Sequence, residues 1–268
     1  MIWLRKIAVC AIAALAFSGS LCAESLYTTL NYGSELGVIN SSTGAGTTIG
    51  SFGYSSVYGL AFSPSGTLYA EAGGYLSTVN LSTGAATQIG ASNGLGWEAL
   101  QFASNGTLYA ADIDSGSTNL YTLNTTTGAA TEIGSINQSM IMDLAMNSNG
   151  TLYAIASDDG PSSDIYQINT STGAGTLVAT LDVSDLMGLT FDSAGNLYAT
   201  DFVPDSTLYS INLADQSATA IGTADFESHG LDVDDAAETP EPSSWIFVAT
   251  GLLLFGAFRR RLPGFFCR

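Results

Sequence analysis

The sequence predicts an all-β protein, a five-bladed β-propeller in which each blade contains four antiparallel strands. Three observations support this fold class. A set of short motifs recurs along most of the 268-residue chain, and each repeat contains four short apolar segments separated by turns, as in a propeller blade. Between the two ends of the chain, no segment shows the 3.6-residue hydrophobic period of a helix.

Two motifs define the repeat, and both keep the same spacing. The first is Gly-Thr-Leu-Tyr-Ala, or its variant Gly-Asn-Leu-Tyr-Ala, which starts at Gly66, Gly106, Gly150 and Gly195. The second is Ser/Thr-Thr-Gly-Ala, which starts at Ser42, Ser82, Thr126 and Ser171. Successive copies of either motif are 40, 44 and 45 residues apart, so each motif has a fixed place in one structural unit.

The apolar segments within a repeat have the composition of β-strands. In the second complete copy they cover residues 99–103, 107–111, 120–124 and 130–133. Segments of this length, rich in Leu, Tyr, Ile and Thr and bounded by Gly, Ser and Asn, are typical of strands. The sequences that join the first two segments, such as Ala-Ser-Asn-Gly, predict type I hairpin turns, and the Asn-x-Ser/Thr sequences fit the same turn chemistry.

The number of repeats predicts how the ring closes. Diverged copies of the two motifs at residues 25–28 and 214–217 bring the total to five. The chain begins with the second segment of a blade and ends with the first, so we expect residues 229–233 to form the inner strand beside Leu26. This arrangement would leave no open sheet edge at the closure. A β-solenoid, the alternative, has shorter repeats of roughly 20 to 30 residues.

The charge distribution excludes several classes of function. The formal charge is −18, from 6 basic and 24 acidic residues. Residues 7–258 contain no Lys or Arg, because the basic residues are Arg5, Lys6, Arg259, Arg260, Arg261 and Arg268. Such a body repels nucleic acid, and it lacks the cations that usually hold phosphate or carboxylate substrates. The three cysteines also lie near the ends, so no thiolate site is available in the body.

The N-terminal residues 1–23 have the organisation of a secretory signal peptide. Arg5 and Lys6 precede eleven apolar residues at 7–17, and small residues lead to Ala23. We therefore expect export through the Sec translocon, cleavage after Ala23 and a propeller domain at residues 24–235. An uncleaved anchor is the alternative, but eleven apolar residues span only about half of a bilayer.

The C-terminal end contains three elements in a fixed order. Residues 236–244 form a linker with a Pro-Glu-Pro motif, residues 245–261 combine an uncharged segment with an arginine cluster, and residues 262–268 follow as a cytoplasmic tail. The motif and the cluster consist of Pro240, Glu241, Pro242, Arg259, Arg260 and Arg261. This end closely resembles the PEP-CTERM sorting signal, a short transmembrane helix recognised by an exosortase in exopolysaccharide-producing bacteria.

The PEP-CTERM resemblance implies a destination for the protein. The arginines would stay on the cytoplasmic side of the membrane, with the acidic body outside. The protein would first be membrane-anchored by its C-terminal helix and then delivered to the cell surface or the extracellular matrix. A plain single-pass anchor, the alternative, gives the same orientation.

Acidic residues and one histidine occur where the propeller channel would open. The segment at residues 59–70 resembles the strand–turn–strand of NHL-type and gluconolactonase-like propellers. By analogy with the latter, Glu98, Asp143 and His229 are candidates to converge there and bind a divalent cation, with further acids on adjoining loops at Glu71, Asp112 and Asp201. Oxygen ligands suit Ca²⁺, whereas an imidazole favours a transition metal. The alternative is that these are solvated acids beside a half-buried histidine. No other cofactor and no catalytic residue is assigned.

These features together predict an exported cell-surface or exopolysaccharide-matrix protein. Its propeller would have a binding or structural role, with repeated polar loops and tyrosines that contact glycan. The blades remain near-copies of one another, which favours repeated weak binding over a single asymmetric catalytic site. The alternative function is a divalent-cation-dependent hydrolase or lactonase with its site at the channel mouth.

Overall fold

The computed structural model describes residues 23–92, 96–112, 118–157 and 160–234. These residues form twenty β-strands in five antiparallel sheets of four strands each. The predicted five-bladed propeller of four-stranded blades is therefore confirmed. The predicted signal peptide, PEP linker, C-terminal helix and tail lie outside the described residues. Within the described ranges, no helix has the length and hydropathy needed to cross a membrane.

Each blade is an antiparallel meander that runs from an inner strand to an outer strand. Blade 1 contains β20 (Ser228–Val233), β1 (Ser25–Leu30), β2 (Glu35–Asn40) and β3 (Gly46–Ser51). Blade 2 contains β4 (Leu60–Phe62), β5 (Leu68–Glu71), β6 (Leu76–Val79) and β7 (Ala86–Gln88). Blade 3 contains β8 (Trp97–Phe102), β9 (Leu108–Asp112), β10 (Asn119–Leu123) and β11 (Ala130–Ser135).

The last two blades repeat the same order. Blade 4 contains β12 (Ile141–Met146), β13 (Leu152–Ala156), β14 (Ser163–Ile168) and β15 (Gly175–Leu181). Blade 5 contains β16 (Leu186–Phe191), β17 (Leu197–Asp201), β18 (Thr207–Asn212) and β19 (Ser217–Thr223).

The inner strands contact one another around the axis. Strand β4 contacts β8 and β20, β12 contacts β8 and β16, and β16 contacts β20. Strand β20 pairs with β1, with Val233 opposite Leu26 and Leu231 opposite Thr28. Blade 1 therefore contains strands from both ends of the described chain.

The tyrosine of the Gly-Thr-Leu-Tyr-Ala motif packs one blade against the next. It lies on the second strand of its blade and contacts the residue that ends the inner strand of the following blade. Three of these contacts join aromatic rings whose centroids are 5.0, 5.2 and 5.5 Å apart, namely Tyr27–Phe62, Tyr69–Phe102 and Tyr153–Phe191. Such tilted or edge-on pairs contribute about 0.5–1.5 kcal/mol beyond the apolar area that they bury. The motif therefore recurs because each blade interface needs it.

The glycine of the Ser/Thr-Thr-Gly-Ala motif allows the outer parts of neighbouring blades to approach closely. Gly84 has a φ of +78°, and a Cβ at this residue would lie 2.2 Å from the backbone oxygen of Gly50 in the preceding blade. In blade 5 the glycine is replaced by Gln216, whose Oε1 accepts a hydrogen bond from the Thr180 amide of blade 4 (3.4 Å). The motif thus reflects a blade contact as well as a turn.

The Asn-x-Ser/Thr sequences at these outer turns serve the turn itself, as expected. The Oδ1 atom of each asparagine accepts hydrogen bonds from the amides two and three residues later. This is the geometry of an Asx turn. It occurs at Asn40, Asn80, Asn124 and Asn169.

Replacement of Gly84 by alanine is expected to destabilise the propeller more than replacement of Gly53. Both glycines have a positive φ, +78° and +80°, so both variants carry a backbone strain of about 1 kcal/mol. Only at Gly84 does the methyl group collide with a neighbouring blade, since nothing lies within 4 Å of a Cβ at Gly53. We expect Gly84→Ala to cost roughly 3 kcal/mol of unfolding free energy in urea. Equal losses in the two variants would contradict a tight blade contact.

Candidate functional site

The loops of the propeller form two opposite faces. The mouth face carries the loops that lead into the inner strands, such as residues 52–59, and the loops that follow the second strands, such as 72–75. The terminal face carries the turns between first and second strands, such as 192–196. Both ends of the described chain lie on the terminal face, because Val233 pairs with Leu26 there and Ser193 Oγ donates to Glu24 Oε1 at 2.7 Å.

A pocket of about 450 Å³ opens on the mouth face between blades 2 and 3. The residues that line it include Tyr58, Glu71, Gly74, Trp97 and Glu98. Glu71 ends strand β5 and Glu98 lies in strand β8, so adjacent blades bring the two carboxyl groups to one cavity. Its volume falls within the roughly 300–1,000 Å³ of small-molecule sites.

His229 lies beside the carboxyl group of Glu98, with 3.8 Å between Nε2 and Oε2. The imidazole ring is only 6% exposed, and its centroid is 4.6 Å from that of Tyr58 and 5.6 Å from that of Phe202. Burial lowers the pKa of His229 to about 4, so the ring is neutral at pH 7. Its Nδ1 atom has no hydrogen-bond partner among the described residues.

Among the described residues, the two carboxyl groups of the pocket have no positively charged neighbour. Burial raises the pKa of Glu98 to about 7. Burial also raises the pKa of Glu71 to about 7, while the Gly74 amide that donates to it opposes the rise and the charge of Glu98 adds to it. Within the described ranges, Glu98 accepts no hydrogen bond. Both groups therefore exchange protons near neutral pH.

Acids on the neighbouring mouth-face loops have donors within their own blades. Asp112 accepts from the Asn119 amide at 2.7 Å and from the Tyr121 hydroxyl at 3.1 Å. Asp201 makes the equivalent contacts in blade 5, with the Thr207 amide at 2.6 Å and the Tyr209 hydroxyl at 3.1 Å. These two aspartates thus bond to the third strands of their own blades.

Asp143, the third predicted metal ligand, joins three blades through backbone hydrogen bonds. Its Oδ1 accepts from the Leu144 amide, and its Oδ2 accepts from the Leu189 and Leu231 amides, each at 2.9 Å. Burial raises the pKa of Asp143, and the three amides oppose that rise. The structure thus brings Glu98 and His229 together and gives Asp143 other partners. No group of three or more His, Cys, Asp or Glu residues that could hold a metal ion is found in the described part of the chain.

An aromatic row extends from His229 across the mouth face, and the sequence analysis missed it. Phe202 contacts His229, and its centroid is 5.9 Å from that of Tyr32. Tyr32 is 67% exposed and has a φ of +55°, an uncommon conformation for a bulky residue that often marks a functional surface. Neither Tyr32 nor Phe202 belongs to a repeated motif. Both residues lie in loops that follow second strands, and this position in the repeat could have identified them as mouth-face residues.

A second cavity, of about 440 Å³, opens on the terminal face. Its polar side chains already have protein partners: Gln101 accepts from the Met146 amide at 3.2 Å, and Asp232 accepts from the Phe62 amide at 2.6 Å. Val233, the last residue of β20, lines the same cavity. The mouth pocket is the stronger candidate for a ligand site because Glu98 accepts no hydrogen bond from the described residues and Glu71 accepts only that of the Gly74 amide.

The Glu98→Gln variant is expected to be more stable than the parent protein above pH 7, by a margin that shrinks as the pH falls towards 4.5. The pKa of Glu98 is raised from 4.5 to about 7, so the folded state keeps its proton where the unfolded state loses it. The stability that this group contributes is therefore present below pH 4.5 and is lost as the pH rises to about 7. Glutamine stays neutral, so the variant should gain about 1–3 kcal/mol at pH 8.

This pH dependence is measured by thermal unfolding of both proteins at pH 5 and pH 8. Glu132→Gln is the matched control, because Glu132 is exposed on β11. A gain in Glu98→Gln that is the same at both pH values would contradict the assigned protonation.

Comparison with known proteins agrees with the repeat architecture. The chain is similar to a chain in the crystal structure of a nidogen/laminin complex, with 14% identity, a TM-score of 0.53, and coverage of 80% of this chain and 82% of that chain. It is also similar to a protein of unknown function from Bacteroides thetaiotaomicron, with 18% identity, a TM-score of 0.52, and coverage of 74% and 55% respectively. At these identities the likeness shows the fold alone.

Sequence comparison gives a family. No curated protein matches the sequence. Residues 68–220, more than half of the chain, match a family described as a repeat of unknown function, DUF6923. The matched region begins in β5 of blade 2 and ends in β19 of blade 5. The chain therefore belongs to the DUF6923 repeat family.

Proposed function

We propose that this protein is exported to the cell surface or the exopolysaccharide matrix, where its mouth face binds an extracellular glycan. The observation that carries the proposal is that both ends of the described chain leave from the terminal face, opposite the mouth pocket. Residues 1–23 support export through the Sec translocon, and the Pro240-Glu241-Pro242 motif with its arginine cluster supports sorting by an exosortase.

The position of the chain ends determines the orientation that an anchor would impose. The described chain ends at Asp234, directly after β20. A membrane anchor in the residues that follow would hold the terminal face towards the membrane. The mouth pocket would then be directed towards the medium, where an extracellular polymer is accessible.

The chemistry of the mouth pocket favours a ligand rich in hydroxyl groups. The carboxyl groups of Glu71 and Glu98 accept hydrogen bonds from hydroxyls, and Tyr58 offers an amphipathic ring beside them. Residues 7–258 contain no Lys or Arg, which disfavours ligands that carry phosphate or carboxylate. Neutral or basic glycans are therefore the ligand class that fits the mouth pocket.

A hydrolase is the second candidate, and the protonation of the two glutamates is the observation that favours it. A carboxyl group whose pKa is about 7, as for Glu71 and Glu98, can act as a general acid or base at neutral pH. Glycosidases use such a pair on either side of the scissile bond. A cation-dependent hydrolase or lactonase would need ligands in addition to Glu98 and His229. Release of products from a bound glycan would support this candidate over simple binding.

The full chain, purified in detergent, is expected to bind at least one class of polysaccharide on a glycan array. Gly96 lines the mouth pocket, and a Cβ atom added there meets no atom of the described residues within 4 Å. Gly96→Trp should therefore fill the pocket without disturbing the core and weaken binding by about tenfold or more. Leu177→Trp, at an exposed position of β15, should bind like the parent. Binding that is unaffected by Gly96→Trp, or no glycan binding, would contradict the proposal.

A further inference from the structure

We propose that the mouth pocket binds a sugar unit that carries a free protonated amine, held by Glu71 and Glu98 beside the ring of Tyr58. The ligand class is thus a glycan with unacetylated amino sugars. This inference rests on the proposed glycan-binding function and narrows it to one chemistry.

Glu98 differs from the other buried acids in its lack of hydrogen-bond donors among the described residues, whereas Glu71 accepts one from the Gly74 amide. Asp143 accepts three backbone hydrogen bonds, and Asp112 accepts hydrogen bonds from an amide and a hydroxyl. Glu98 accepts none from the described residues, although its side chain is only 15% exposed. Glu71 lines the same cavity, so the two groups repel when both are ionised. A ligand cation between them would remove this repulsion and favour their ionised forms.

Two buried polar atoms belong to residues that line the pocket or contact its lining. Trp97 is among the lining residues, and its buried Nε1 donor has no acceptor in the described part of the protein. His229 contacts Glu98 and Tyr58, and its buried Nδ1 has no partner among the described residues. Buried polar groups in native proteins almost always have partners, including bound ligands and water.

Aromatic rings surround the acids of the pocket. Tyr58 lines the cavity and packs on His229, and aromatic faces attract cations within roughly 6 Å. From His229 the row continues through Phe202 to the exposed Tyr32. This row would offer further ring faces to the next sugars of a polymer.

Three trisaccharides with the same β-1,4-linked backbone test the inference by calorimetry with the full chain at pH 6.5. Chitotriose carries free amines, triacetylchitotriose carries acetamides, and cellotriose carries hydroxyls. We expect chitotriose to bind at least about tenfold more tightly than the other two, because only its amines are charged. We also expect its binding to release protons, because the bound cation favours the ionised forms of Glu71 and Glu98. The other titratable groups beside these two acids are Tyr58 and His229, and His229 is neutral at this pH.

Two isosteric variants separate a specific contact from the general negative charge of the protein. Glu98→Gln should weaken chitotriose binding by about tenfold and leave the weak binding of cellotriose unchanged. Glu132→Gln, which removes an exposed acid on β11, should leave both affinities unchanged. Thermal unfolding of both variants checks that they are folded.

The alternative outcomes are distinguishable. Equal affinities for the three sugars would overturn the amine inference and leave glycan binding intact. Equal losses in Glu98→Gln and Glu132→Gln would also overturn it, because the attraction would then come from net charge alone. Propylamine carries an amine but no sugar ring. If it binds as tightly as chitotriose, the pocket recognises the amine alone, which would overturn the inference that it binds an amino sugar. No binding of any of the three sugars would overturn this inference and, if the glycan array is also negative, the proposed function.

Discussion

The absence of lysine and arginine between residues 7 and 258 is the constraint on which this structure depends. A buried carboxyl group in this chain cannot be paired with a basic side chain, so it must accept hydrogen bonds or keep its proton. Asp143 accepts amides from three blades, and Asp232 accepts the Phe62 amide of a fourth blade and the Thr190 hydroxyl. The acids at the centre of the ring thus link neighbouring blades, because they accept hydrogen bonds from backbone amides where other proteins would pair them with Lys or Arg.

The mouth pocket arises where the repeat departs from its own pattern. Asp112 and Asp201 come two residues after the alanine of the motif, at Ala110 and Ala199, and they face their own third strands. Glu71 comes directly after Ala70. Since side chains alternate between the two faces of a strand, this shift of one residue turns Glu71 to the other side of the sheet, towards the pocket that also holds Glu98. A small change in one repeat therefore converts a structural acid into a component of the candidate site.

The architecture could be predicted from the sequence because the motifs that recur are the contacts between blades. The Tyr69–Phe102 ring contact has counterparts at two other blade interfaces, and the Gly84–Gly50 approach recurs at Gly44 and Gly173. These recurring contacts give the sequence its periodic motifs. The closeness of Glu98 and His229 also followed from the repeat register, because both lie two residues before the conserved position of the repeat leucine.

The rest of the candidate site could not be predicted, for two physical reasons. The partners of Asp143 are backbone amides of Leu189 and Leu231, and an amide donor has no signature in the sequence. Tyr32 and Phe202 lie in loops that differ from blade to blade, and their contact joins blades 1 and 5, which are far apart in the sequence. Sequence periodicity therefore describes what the blades share, whereas the mouth pocket depends on what distinguishes them.

The ionisation of the pocket glutamates is the property that tests this account most directly. The measurement is a carbon-13 NMR titration of the glutamate side-chain carboxyls in the full chain, with Glu71 and Glu98 assigned through their Gln variants. We expect both groups to titrate near pH 7, well above the ordinary range for glutamate of about 4 to 5. Titration of Glu71 and Glu98 in that ordinary range would contradict this assignment, because solvent or hydrogen-bond donors would then already stabilise their ionised forms without a ligand.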